Sequence, residues 1–115
     1  MAVAFGLVPS AHREAVVQKI LDDLEQRDYQ QTYGDVGFRY LLEALTESWH
    51  SEAIATMPRR KSLGSYGFIV KKGWTTMPET WDMDLHFSLN HLMLGHIQRW
   101  FWEALVGIRP DPKEP

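Results

Sequence analysis

The stretch Lys71–Asp82, KKGWTTMPETWD, decides the fold assignment of this chain. In it, Glu79 follows a proline between threonines and tryptophans, where neither a helical nor a strand pattern accounts for a glutamate. Asn90 and His91 then open a strongly apolar run. Aromatic faces pack on the apolar faces of sugar rings, and a nearby carboxylate can transfer a proton or activate water. The stretch therefore predicts a sugar pocket, whereas the alternative is a solvated loop glutamate beside core tryptophans.

The composition is that of one globular domain. The chain has 115 residues, of which 44% are hydrophobic and 23% charged, with a formal net charge of -3. A domain of this size buries roughly two thirds of its unfolded surface. The mild acidity and the lack of a Lys/Arg stripe argue against a nucleic-acid partner, and no apolar run is long enough to span a membrane.

Other classes of protein are excluded by what the sequence lacks. It contains no cysteine, which excludes disulfides and thiolate ligands, and we expect no cofactor. Met1–Leu7 lacks the charge and length of a signal peptide, so any export signal would lie outside this chain. His86, His91 and His96 are spaced by five residues, which places successive imidazoles about 140° apart on a helix, so we expect no metal site.

Hydrophobic periodicity predicts two helices in the first half of the chain. The apolar run closed by Gly6 reads as the last turn of a helix, so we expect the chain to start in mid-fold. Ser10 is the predicted N-cap of a helix that ends near Arg27. Asp35 is the predicted N-cap of a second helix, which runs to about Ser48 and carries two apolar stripes.

The second half is predicted to be more irregular. A short helix over 52–57 should end at Pro58, and the glycine-rich residues 59–72 are expected to form a loop with one short strand. Ser88 is the predicted cap of a last helix to Val106, roughly 28 Å long, which Gly107 ends. The sequence thus predicts a mainly α domain of three to four helices, with a short strand-containing loop before the last long helix.

Several motifs recur in an order that resembles the bacterial α-L-rhamnosidases. They are GDVGFRYLL at 34–42, SYG at 65–67, KG-x-TT-x-x-E-x-WD at 72–82, S-x-NH-x-M-x-G at 88–95, WF at 100–101 and LVGI at 105–108. Their order and spacing match the last part of the six-hairpin catalytic domain of that family. The resemblance assigns residues 1–108 to the C-terminal portion of this domain and leaves 109–115 as a linker-like tail.

The resemblance implies that the chain forms a little under half of an (α/α)6 toroid. It also implies that the complete toroid hydrolyses terminal α-linked L-rhamnose with inversion of configuration. It implies that Glu79 is the general base and that His91 binds sugar hydroxyls near that base. Trp81 would be a wall of the sugar subsite or a support for the Glu79 loop. The family's general acid comes from a segment well upstream of these motifs, so we expect the isolated chain to be inactive.

Two other interpretations remain open. One is a non-catalytic carbohydrate-binding remnant that keeps the tryptophans and His91 but has lost hydrolysis. The other is a helical self-association module, because helix faces left uncovered by missing neighbours would drive the chain to form homo-oligomers.

Overall fold

The computed structural model describes residues 1–82, 88–111 and 113, and this part of the chain is helical with no strand. A 3₁₀ turn, Met57–Arg59, directly follows the helix Ser51–Thr56. A second 3₁₀ turn, Met93–His96, and a π-helix, Phe101–Val106, flank the short helix Ile97–Trp100. Residues 93–106 therefore form one continuous helical segment. The five α-helices are α1 Ser10–Gln26, α2 Asp35–Glu47, α3 Ser51–Thr56, α4 Tyr66–Lys71 and α5 Ile97–Trp100.

Helix α2 lies at the centre of the fold and packs against α3 and α5. Its main apolar stripe joins the large core, as the sequence predicted. On its second side Ala44 is buried against Val3 and Val17, and Tyr40 stacks on Phe5 at 4.7 Å between ring centroids. The predicted second stripe is thus covered, apart from Val36, which is 57% exposed. The buried residues of the main stripe are Phe38, Leu41, Leu42 and Leu45.

The first two helices end close to the predicted residues, but neither predicted N-cap is correct. Ser10 is the first residue of α1, and extended Pro9 precedes it, with the Pro9 carbonyl accepting from His12 N–H at 2.9 Å. Asp35 is likewise the first residue of α2, after Gly34. Its Oδ1 accepts the adjacent Val36 N–H at 2.7 Å, a contact within the first turn that does not cap the helix.

The strand predicted between residues 59 and 72 is wrong, because Tyr66–Lys71 forms α4. Ser65 caps this helix, and its Oγ accepts the Phe68 N–H at 3.2 Å. The same Oγ donates toward the Arg60 carbonyl, 2.7 Å away. This local capping outweighs the strand preference of the Tyr-Phe-Ile-Val composition.

The last helical segment is shorter than predicted, since it begins at Met93 and not at Ser88. It ends as predicted at Gly107, whose φ of +79° suits a residue without a β-carbon. Ile97 and Trp100 are buried on its inner face, and the Trp100 indole donates to Ser51 Oγ of α3 at 3.2 Å. Leu105, near the end of the segment, is 58% exposed.

The N-terminal residues make a turn of the predicted kind. Gly6 N–H donates to the Val3 carbonyl and Leu7 N–H donates to the Ala2 carbonyl, both at 3.0 Å. This pair of bonds is typical of a helix C-terminus. In the described residues, every helix is too short or too polar to cross a bilayer.

Candidate active site

Two loop segments, 76–79 and 88–91, run side by side and position the candidate residues. Glu79 N–H donates to the Ser88 carbonyl at 2.9 Å, and His91 N–H donates to the Met77 carbonyl at 2.8 Å. The Thr76 hydroxyl donates to the Leu89 carbonyl. Ser88 and His91 therefore belong to this paired loop, which replaces the predicted first turn of the last helix.

The Glu79 carboxylate is half-buried and held by the paired loop. Its Oε2 accepts the Ser88 N–H at 3.1 Å. The hydrogen-bond partner of this carboxylate is thus the backbone amide of Ser88. The amide orients the carboxylate and leaves its other oxygen free of protein hydrogen bonds in the described part of the chain.

Glu79 lines a cleft of about 440 Å³ at the start of α2, the volume of a small-ligand site. Three residues with carboxylate side chains line it, Glu79, Asp35 and Asp82, and Gln31 is also among the lining residues. The Gln31 side chain is buried, and its Nε2 donates to the Tyr29 carbonyl at 2.8 Å. The lining of the cleft therefore includes several acidic and polar residues. The remaining lining residues are Gln30, Thr32, Tyr33, Gly34, Leu63, Gly64, Thr80 and Trp81.

Trp81 lies mainly in the core and is only 6% exposed. Its ring makes edge contacts with Phe38 at 5.3 Å and with Tyr66 at 5.1 Å between centroids. Burial raises the pKa of the Tyr66 phenol well above its ordinary value, and its hydroxyl donates to the Leu94 carbonyl. Trp81 thus ties the Glu79 loop to α2 and α4 and contributes only an edge to the cleft.

His91 precedes the last helical segment and faces the start of α2. Its Nε2 lies 3.7 Å from Asp35 Oδ2. Asp35 lines the cleft, whereas His91 does not. The structure therefore brings Glu79, Trp81 and Asp35 to one cleft and connects His91 to it through Asp35. Sequence reasoning missed this connection because it treated Asp35 as a helix cap.

Among the described residues, the other histidines do not line the cleft either. Burial lowers the pKa of His96, the nearby Arg39 guanidinium lowers it further, and Asp35 opposes both effects. His86 lies outside the described residues. In the described ranges no cluster of three or more His, Asp or Glu side chains has a geometry suited to a metal ion.

Comparison with known proteins identifies the family. Residues 1–105 match the bacterial alpha-L-rhamnosidase 6 hairpin glycosidase domain. The chain belongs to this family. An α-L-rhamnosidase of Streptomyces avermitilis is 29% identical over 119 aligned positions, which cover 96% of this chain and 12% of the relative. One from Alteromonas sp. strain LOR is 27% identical and covers 96% of this chain and 13% of the relative.

Solved α-L-rhamnosidase structures share the fold of the chain. The Streptomyces avermitilis enzyme, crystallised with L-rhamnose, superimposes with a TM-score of 0.86 at 28% identity, over 95% of this chain and 12% of that one. The native enzyme of Aspergillus terreus also gives 0.86 at 28% identity, over 99% of this chain and 14% of that one. The chain is thus a mainly helical part of the six-hairpin glycosidase fold and spans about an eighth of the length of these relatives.

Proposed function

We propose that this chain supplies the general-base half of an inverting α-L-rhamnosidase active site, with Glu79 as the base. The observation that carries the proposal is the placement of Glu79. Its carboxylate stands on the wall of a 440 Å³ cleft, one oxygen is held by the Ser88 amide, and the chain belongs to a glycosidase family.

The chemistry of inversion fits a carboxylate held in this way. An inverting glycosidase keeps its two carboxyl groups about 6.5 to 9.5 Å apart, so that a water fits between the base and the anomeric carbon. Glu79 would take a proton from that water through the oxygen that the Ser88 amide leaves free. The water would then attack the face of the sugar opposite to the leaving group.

The general acid would come from residues outside this chain. Asp35 and Asp82 are the other carboxylates of the cleft, but neither occupies the position that the family resemblance gives to the acid. The isolated chain would therefore lack turnover, since general acid assistance contributes about 10² to 10⁴ in rate.

His91 and Trp81 complete the proposed contribution of the chain to sugar binding. The exposed edge of Trp81 would pack on an apolar face of the sugar, while its buried ring supports the Glu79 loop. His91 does not line the cleft and would contribute to binding of the sugar hydroxyls through Asp35, whose Oδ2 lies 3.7 Å from His91 Nε2. The ligand implied for the site is a terminal L-rhamnosyl group.

Replacing Glu79 by glutamine tests the proposed base. The assay uses the extended protein, meaning this chain expressed with whatever coding sequence adjoins it, and p-nitrophenyl α-L-rhamnoside as substrate. Glutamine keeps the size of the side chain and can still accept from Ser88 N–H, but it cannot accept a proton. We expect kcat to fall by about 10² to 10⁴ with little change in KM.

The exposed helix residue Glu25 offers a matched control, since Glu25→Gln makes the same chemical change away from the cleft. It should leave kcat unchanged. A Glu79→Gln variant that turns over at the wild-type rate would disprove the assignment. Proton NMR of the first released sugar tests inversion separately, because release of α-L-rhamnose instead of the β-anomer would mean retention.

A further inference from the structure

We propose that Asp35 is a sugar-binding residue of the Glu79 cleft and that His91 is its positioning residue. This inference rests on the proposed function, which supplies a sugar as the ligand. Asp35 lines the same cleft as Glu79, whereas His91 approaches the cleft only through Asp35.

The two oxygens of the Asp35 carboxylate have different neighbours. Oδ1 accepts the Val36 N–H at 2.7 Å, which fixes the carboxylate at the first turn of α2. Oδ2 lies 3.7 Å from His91 Nε2. Ionised carboxylate oxygens accept up to about four hydrogen bonds, so acceptor capacity remains on the cleft side. The side chain keeps 35% of its surface exposed, and a ligand in the cleft can reach it.

The Nε2 atom of His91 needs Asp35 as a hydrogen-bond partner. Its Nε2 is buried and makes no hydrogen bond within the described residues. A buried N–H without an acceptor is costly, and Asp35 Oδ2 needs to move by only about 1 Å to reach hydrogen-bond distance. The Nε2–H tautomer is therefore favoured, because it directs a proton and not a lone pair at the carboxylate.

The charges around the pair are mixed. Arg39, one turn along α2, and Asp35 both act on His96, which lies on the last helical segment. Burial lowers the pKa of His96 and Arg39 adds to this effect, whereas Asp35 opposes it. The negative charge of Asp35 is thus felt by His96, on the helical segment that follows His91.

A sugar hydroxyl that donates to Asp35 would be held by a charge-assisted hydrogen bond. Such bonds contribute equally in the bound substrate and in the transition state when the hydroxyl is remote from the anomeric carbon. Loss of the bond should then raise KM and leave kcat nearly unchanged. This pattern differs from that expected for Glu79, whose replacement lowers kcat.

A double-mutant cycle on the extended protein tests the pair. Asp35→Asn keeps the shape of the side chain and removes its charge, and we expect KM for p-nitrophenyl α-L-rhamnoside to rise about tenfold to a hundredfold. His91→Ala should also raise KM. Because the two residues act as one unit, the double variant should be no worse than about the poorer single variant. Asp22→Asn, on the exposed face of α1, is the control and should match wild type.

The outcomes separate this inference from the proposed function. If Glu79→Gln abolishes turnover while Asp35→Asn keeps wild-type KM, the role of Asp35 is overturned and the base assignment stands. If the rise in KM of the double variant is the product of the rises caused by Asp35→Asn and by His91→Ala, the positioning role of His91 is overturned. If Glu79→Gln is fully active, the proposed function itself fails.

Nitrogen-15 NMR of the 115-residue chain tests the Asp35–His91 contact without an enzymatic assay. We expect the His91 ring to show the Nε2–H tautomer in wild type and to lose this signature in Asp35→Ala, while Asp35→Glu restores it in part. A His91 ring whose nitrogen shifts are the same in wild type and Asp35→Ala would overturn the contact.

Discussion

At the scale of single residues, Trp81 shows why the role of each aromatic residue in the 71–82 stretch could not be predicted from the sequence. The sequence places a tryptophan two residues after Glu79, and sugar contact and core packing were both plausible. The edge contacts with Phe38 and Tyr66 show that most of the ring is core. Glu79 therefore lies on a loop whose position is fixed by a buried aromatic cluster. Substitutions that remove packing contacts from this cluster would displace the carboxylate.

Gly67 is a second residue with a decisive role, because two chain segments approach each other there. A β-carbon built on Gly67 would lie 2.1 Å from the Arg60 carbonyl oxygen and 2.9 Å from that of Pro58. Both atoms are backbone, so relief requires movement of the turn itself. We expect Gly67→Ala to destabilise the chain by about 1–3 kcal/mol, measured by urea unfolding followed with circular dichroism.

Gly37 provides the matched control for this substitution. It also lies in a helix, but a β-carbon there would meet only Tyr33 Cβ at 4.0 Å. Gly37→Ala should be neutral or stabilising by up to about 1 kcal/mol, since alanine favours a helix interior. Equal effects of the two substitutions would show that helix propensity, and not the close approach at Gly67, determines the result.

At the scale of elements, the helices α1, α2 and the short α3 were predictable from the sequence, whereas α4 was not. The apolar spacing in α1 and α2 gave their extents to within a residue or two, because a repeated pattern reports the buried face. Helix α4 has only six residues, so its strand-like composition misled the prediction. Its formation depends on the local Ser65 cap and on packing against the Met57–Arg59 turn, which is a tertiary contact.

In the candidate site too, contacts between segments distant in the sequence could not be predicted. The motif around Glu79 could be recognised from the sequence, and so could the importance of His91. The pairing of loop 76–79 with 88–91 could not be predicted, since its hydrogen bonds join backbone groups with no compositional signal. For this reason the Ser88 amide and the Asp35–His91 contact emerged only from the structure.

At the scale of the whole molecule, the outer side of the last helical segment is apolar and uncovered. Trp102 is 48% exposed, Leu105 58% and Val106 59%. Exposed apolar groups that cluster along one element favour association between copies. We therefore propose that the isolated 115-residue chain self-associates through this face.

Size-exclusion chromatography with light scattering tests this proposal. The apparent mass of the wild-type chain should rise with concentration, and Leu105→Glu should shift it toward the monomer. Val70→Glu introduces the same charge at an equally apolar, exposed site on α4 and should not have this effect. A wild-type chain that stays monomeric at every concentration would rule out association.

The central claim is that these residues provide the base half of a glycosidase site whose acid half lies elsewhere. Its most direct test is the rate of p-nitrophenyl α-L-rhamnoside hydrolysis by the 115-residue chain and by the extended protein. We predict turnover by the extended protein alone. Turnover by the isolated chain would contradict the claim, because a complete acid and base pair would then lie within it, and a lack of turnover in both would contradict rhamnoside hydrolysis itself.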